Sequence, residues 1–449
     1  MPSTTFAYRA TICLIWALAL WHSWTCRGLF VDGSAFLVEI VRREWFFRFY
    51  PPRIYAMVAG QVPVMTAVML GVTDLHWLAR LLSLGLFGLP TVFYHLALHR
   101  AKGDAILLAT VIAAIASIFM TTGFFIVGEY NTAFAIVLLV AVRLVTAKRL
   151  TFADGLVLAA VAAFATRTYE VMLYLGPLLA AMILWALRRA PARPVVTTLL
   201  HLLAAAFFLK AMVVAVNSLL YPHSAEHLEE TWQTSLNFWQ NMQFDLAFGA
   251  ALVVVVWALV KPAGLLEAKP YRWAGICLVL LALSPLLALG DTMVRPLAKS
   301  QYIARTASGL IIAAMVAFIW ARETDLGAKF KTFVVLRTPE AARRFLAFAC
   351  LMLLAVLPSD VFLTGTWISY LDAMRTAVRS HSGVIAVEET PLSRRPHSLL
   401  GENWPTSSLS IVLRSNFKNG VVAPPRDFTE WVPFHPLEPP DMGRFFWRD

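Results

Sequence analysis

The sequence predicts an all-α polytopic membrane protein, and three observations carry that prediction. Hydrophobic residues make up 59% of the 449-residue chain and charged residues only 14%, against roughly a quarter charged in soluble domains. Mean hydropathy is +0.68. Apolar runs close to the ~20 residues that cross a bilayer recur as far as Leu363, separated by loops in which Lys and Arg gather.

The runs are read in order as Ala7–Trp24, Leu81–Leu98, Ile106–Val127, Thr132–Ala147, Phe152–Thr166 and Val171–Leu187. Val195–Val216, Leu246–Val260, Trp273–Leu289, Thr306–Trp320 and Phe345–Leu363 complete about eleven transmembrane helices. Thr132–Ala147 and Phe152–Thr166 fall short of a full crossing, so their ends are expected in protein-lined or wet surroundings. The first run follows Arg9 and leads into Thr25-Cys26-Arg27, with no small-x-small cleavage site. It is therefore read as a retained helix, not a secretory signal. Four cysteines, three of them inside apolar runs, provide neither a disulfide framework nor a zinc site.

Basic loops orient the helices. His99-Arg100-Lys102, Lys148-Arg149, Arg188-Arg189-Arg193, Lys261 to Arg272, and Arg322 to Arg344 all belong on the cytoplasmic side. They alternate consistently if the N-terminus is inside. The same loops account for the net charge of +11, so no nucleic-acid partner is expected. One apolar stretch, Ile54 to Gly71, spoils the alternation if it crosses, and Pro51, Pro52 and Pro63 make it a poor straight helix. It is read as juxtamembrane or re-entrant. Residues 27–80 then form one outer element inside a membrane domain of residues 1–364. Residues 365–449 form a polar, Pro-rich tail outside, ordered by Trp404, Trp431, Phe434 and Trp447. Short strands are expected at Gly383–Val387, Ser410–Arg414 and Gly420–Ala423.

The outer element carries the chemistry-bearing residues. Asp32 stands where the first helix leaves the bilayer, followed by Glu39 on the polar side of an amphipathic helix, then Arg42, Arg43 and Arg48. These arginines oppose the positive-inside rule, which gives them functional interest. Asp32 suits a general base; it equally suits an N-cap for a helix starting near Ser34. Glu129, in an expected outer turn, is a second acid with an ordinary turn role as its alternative. Glu170 is read either as an ion pair with Arg167 across two short helices or as a substrate contact. Lys210, inside an apolar run, marks function or a buried pair; snorkelling to the nearby outer end is the competing account. Arg295, Lys299 and Arg305, with Tyr302 between them, are the first candidates for holding an anion, and Arg305 is expected to head a helix. His22, His95 and His201 are read as packing or interfacial residues.

In this order the residues resemble the membrane-embedded GT-C glycosyltransferases that use polyprenyl-phosphate sugars, including aminoarabinose, mannosyl and arabinosyl transferases. The anchors are Asp32 after helix one, an amphipathic helix, Pro51-Pro52-Arg53-Ile54-Tyr55, a helix entered at Arg80 and leaving into Arg100 and Lys102, and Arg167-Thr168-Tyr169-Glu170 before Leu175-Gly176-Pro177. The resemblance implies a GT-C-like fold in a bacterial inner membrane with a periplasmic C-terminus. It implies transfer of a sugar from a polyprenyl-phosphate donor to a glycan, lipid or protein acceptor on the extracytoplasmic face. For that reaction the residues themselves make Asp32 and Glu129 the candidates for catalysis, and Arg42, Arg43, Tyr55, Arg167, Glu170, Lys210, Arg295, Lys299, Tyr302 and Arg305 the candidates for substrate binding. No soluble cofactor is expected, because the donor is already activated. The family's paired acid is reduced here to Asp32-Gly33, which leaves metal use open. A lipid-linked sugar flippase and an O-antigen-ligase-like enzyme are the rival readings. The first conflicts with the gathering of acids at one face, the second with their early position in the chain.

Overall fold

Local signals in the sequence set several helix starts. The computed structural model describes residues 3–48, 51–122, 129–220, 239, 241–290, 301–426, 428 and 432–448. Helix α1 (Thr4–Trp24) begins where the Ser3 side chain accepts from Phe6 N at 3.2 Å. Helix α2 (Asp32–Arg43) and helix α3 (Ile54–Met69) follow, then α4 (Leu75–Ala101), capped by Asp74. Asp104 caps α5 (Ala105–Thr122), which contains a π-helical turn at Ile115–Phe119. Helices α6 (Glu129–Thr146), α7 (Phe152–Ala165), α8 (Met172–Arg189) and α9 (Pro194–Leu220) continue the bundle, with a reciprocal Thr151–Asp154 capping box opening α7. Then come α10 (Met242–Val260), α11 (Lys269–Gly290), α12 (Gln301–Arg322) and α13 (Pro339–Ser380).

Among the described residues, eight helices are long and apolar enough to cross a membrane: α1, α4, α5, α6, α8, α9, α10 and α13. The three other predicted crossings are helical too, as α7, α11 and α12. Helix α7, with 14 residues, rises only about 21 Å, short of a bilayer core. The outer helices leave large apolar side chains uncovered, among them Leu209, Val255, Leu259, Val260, Ile276 and Val279. An apolar surface of this extent in water would drive association; a bilayer covers it. The chain therefore has the character of a multi-pass membrane protein.

Helices α5 and α6 form the interior of the bundle, with Phe134, Ile136, Val137 and Leu138 of α6 fully buried. Helix α6 packs against α4, which also carries α1 and α3. Helices α3 and α4 form an antiparallel hairpin around residues 70–74, and the 16 residues of α3 rise only about 24 Å. A side chain at Gly85 would meet Gly60 O at 1.8 Å, so only glycine permits this approach. At one end of the bundle the Arg80 guanidinium lies between the Trp24 and Trp77 rings, at 3.8 and 4.8 Å. At the other end Arg322 pairs with Asp104 at 2.9 Å and Arg189 with Glu323 at 3.2 Å.

Two expectations about the tail change. Helix α13 does not stop at Leu363: it has 42 residues and a length of about 63 Å, so the tail starts after Ser380. Its face through Trp367, Tyr370, Met374 and Val378 stays buried, and this packing carries the helix beyond the bilayer. Strands are found at β1 (Val384–Ala386) and β2 (Val421–Ala423), paired in parallel with Val384 opposite Val421. The expected strand at Ser410–Arg414 instead falls at the end of a short helix, α14 (Thr406–Val412), packed on α2. Its residues are buried all round, and such a run has no period that separates strand from helix. The chain end closes the cover: Leu75 N donates to Phe446 O at 3.0 Å, and Trp447 stacks on His76 at 4.5 Å.

Candidate functional site: an acidic cluster closed by one arginine

The cluster sits at the end of the bundle where α2, α3, α6 and the α7–α8 turn meet. Asp32 is the first residue of α2. The cap position belongs to Val31, which makes no side-chain capping bond, so Asp32 is not the N-cap. Its half-buried carboxylate lies within coulombic reach of Glu129, so the two predicted catalytic acids are brought together.

Glu129 opens α6 and is 7% exposed. Arg53 closes the cluster. Its Nε donates to both Glu170 oxygens, at 2.9 and 3.1 Å, and its Nη1 lies 3.9 Å from Glu129 Oε2. The guanidinium also covers the Tyr169 ring at 4.7 Å. Burial works against the charge on Arg53, but Tyr169, Glu170 and Glu129 together hold its pKa above the ordinary value. Local structure explains the reach. The 3₁₀ turn Pro51–Arg53 ends directly at α3, and Tyr55 N donates to Arg167 O at 3.1 Å, docking α3 onto the α7–α8 turn. A mostly apolar cleft lined by Phe36, Met57, Leu86 and Leu89 reaches Glu129 from between α2, α3 and α4.

Around this cluster stand cations. Arg167 is exposed and covers the half-exposed Tyr55 ring at 5.8 Å. Lys210 on α9 is within coulombic reach of both Arg167 and Glu170. Neither side chain makes an ion pair among the described residues. The expected Arg167–Glu170 pair is therefore replaced by Arg53–Glu170, because the bound α3 end brings a closer guanidinium.

Other expectations move. Arg42 and Arg43 lie at the far end of α2, about 15 Å along the helix from Asp32, and pair with Glu39 at 3.0 and 2.5 Å. They do not join the cluster. Glu39 is not on a solvated face but 8% exposed, since α14 covers α2. Arg295 and Lys299 lie outside the described residues. Tyr302 and Arg305 lie within α12, which starts at Gln301, so Arg305 stands in its second turn and not at its head.

The sequence reading missed two things. Arg53 was quoted within a motif without a role. His22, read as packing, belongs to a buried set with Arg27 and Asp360: Arg27 Nη1 donates to Asp360 Oδ1 at 2.8 Å, and His22 Nε2 lies 3.0 Å from Asp360 Oδ2. An acid inside a predicted crossing was the available signal. Among the described residues no group of three or more His, Cys, Asp or Glu side chains is arranged to hold a metal ion. The chain matches no family model, no curated protein and no solved structure.

Proposed function

We propose that this protein is a GT-C-like glycosyltransferase of a bacterial inner membrane, moving a sugar from a polyprenyl-phosphate donor to a hydroxyl acceptor. The observation that carries the reading is the meeting of Glu129 and Glu170 at Arg53, with Asp32 within coulombic reach of Glu129, at one end of an apolar helix bundle. The acceptor oxygen attacks the anomeric carbon, the bond from that carbon to the phosphate oxygen breaks, and the electron pair leaves with the phosphate. Asp32 takes the acceptor proton, as a carboxylate held beside other buried acids is suited to do. Arg53 is committed to Glu129 and Glu170, which leaves Arg167 and Lys210 as the cations for the departing phosphate. The basic residues at the Asp104 end favour a cytoplasmic position for that end, which puts the cluster and the tail outside.

The test uses purified protein in liposomes, supplied with labelled polyprenyl-phosphate sugar and an envelope acceptor fraction. Asp32→Asn is expected to lower transfer by about 10²-fold or more with an unchanged thermal midpoint. Arg167→Ala and Lys210→Ala are each expected to raise the donor KM by about tenfold or more, the scale of a charge-assisted contact. Wild-type rates in both Asp32→Asn and Glu129→Gln would remove the reading. Sugar crossing sealed vesicles without transfer would replace it with a flippase.

A further inference from the structure

The turn between α1 and α2 is strained at both ends. Among the described residues only three other than glycine have positive φ, and two of them bracket this turn: Cys26 at 55° and Val31 at 54°. Val31 has ψ −118° and is 4% exposed. A buried β-branched residue in that region is an outlier that persists only where its surroundings over-determine it.

Those surroundings are unusually complete. Arg27, 1% exposed, donates from Nη1 to Asp360 Oδ1 at 2.8 Å and to Thr364 Oγ1 at 3.0 Å, both on α13. Asp360 is 5% exposed and also meets His22 on α1. Two turns further along α13, Trp367 Nε1 donates to Thr25 O at 3.0 Å, and its ring meets Phe30 edge-on at 5.5 Å. On the other side Gly28 N donates to Ser83 Oγ at 2.9 Å, and a side chain at Gly28 would meet Ser83 at 2.6 Å. Helix α13 and helix α4 thus grip residues 25–30 from two sides, and the strained Val31 hands the chain to Asp32.

We propose that Asp360 is a positioning residue, holding through Arg27 the strained turn that sets where the Asp32 carboxylate stands. A buried ion pair of this kind leaves an uncompensated charge when one partner is removed, so the turn has a single stable arrangement while the pair is intact. The effect on transfer rests on the glycosyltransferase reading; the grip on the turn does not.

Cys26 lets the two be separated. It lies in the gripped turn, is 2% exposed, and burial pushes its thiol up to about 12. With Cys13, Cys277 and Cys350 changed to Ser, a maleimide reports on that turn alone. Asp360→Asn is expected to speed Cys26 labelling well above the wild-type rate. In the transfer assay it should lower kcat by about 10²-fold, the scale of a misplaced catalytic group, with donor KM unchanged. The double variant Asp32→Asn/Asp360→Asn should be no slower than Asp32→Asn alone, because Asp360 acts through Asp32. Trp367→Phe keeps the ring but loses the bond to Thr25, and serves if Asp360→Asn does not fold. Unchanged labelling in both variants overturns the proposal. So does faster labelling with full kcat per folded molecule, or a double variant slower than Asp32→Asn. Faster labelling in a protein whose wild type transfers no sugar keeps the grip and removes the role assigned to Asp32.

Discussion

Arg53 joins groups that lie far from it in the chain: Glu129 at the start of α6, and Tyr169 and Glu170 in the α7–α8 turn. Two acids gathered in a largely buried site repel each other unless a cation lies between them. Arg53→Gln should therefore cost about 1.5–3 kcal/mol, the scale of hydrogen bonds to charged groups, read as a lowered thermal midpoint in detergent. Arg53→Lys retains the charge but not the two-oxygen grip on Glu170, and should fall between Gln and wild type. Equal midpoints for all three would make Arg53 a bystander. Asp32, Glu129 and Glu170 were legible in the sequence as scarce acids at helix ends. Arg53 was not, because nothing local distinguishes it from Arg42, Arg43 or Arg48; only the docking of α3 selects it.

The Asp104 end shows how one element is fastened at its start. The Asp104 side chain accepts from Ile106 N and Leu107 N, at 2.9 and 3.1 Å, and also binds Arg322. Burial works against its carboxylate, but Arg322 and the two backbone N–H groups outweigh this and hold its pKa below the ordinary 3.8. A carboxyl with a depressed folded-state pKa contributes stability above the unfolded value, and that contribution is lost as pH falls through the folded value. Asp104→Asn keeps a capping oxygen and loses the ion pair, so its deficit against the wild type should begin to shrink below the unfolded value near about 4 and close once pH has fallen through the lower folded value. Asp104→Ala loses the cap as well and should be weaker by about 0.5–2 kcal/mol at neutral pH. Thermal unfolding of the three proteins at pH 3.5 and 7 checks both. Equal midpoints for Asn and wild type at pH 7 would show that Arg322 contributes nothing. The caps at Ser3, Asp74, Asp104 and Thr338 are local, yet the apolar runs start at Ala7, Leu81, Ile106 and Phe345, because hydropathy does not register the first turn of a helix that lies outside its apolar run. Nor was the end of α13 legible, because its extension past Leu363 depends on partners from α1 and the tail.

For the whole molecule, the acidic cluster and the C-terminal tail share one end of the bundle, while Arg100, Arg189 and Arg322 mark the other. A pair of cysteine reporters, one at Lys102 and one appended after Asp449, should therefore label from opposite sides of the membrane. Labelling from the same side would contradict an odd number of crossings between the two. If the tail reporter is on the cytoplasmic side, the cluster cannot serve an extracytoplasmic acceptor.

By itself the sequence determined the membrane character, the succession of helical segments and the clustering of charge at their ends. Apolar length and loop charge are local quantities, summed over neighbours in the chain, and they need no partner to be read. Tertiary structure alone decided which cation faces which acid, that Glu39 is covered, and that α13 grips the turn before Asp32. Those outcomes depend on which surfaces pack together. In an apolar bundle, where most side chains are interchangeable in hydropathy, the sequence does not announce them. A single buried charge such as Asp360 is the exception: its cost in isolation requires a partner, and the fold supplies Arg27.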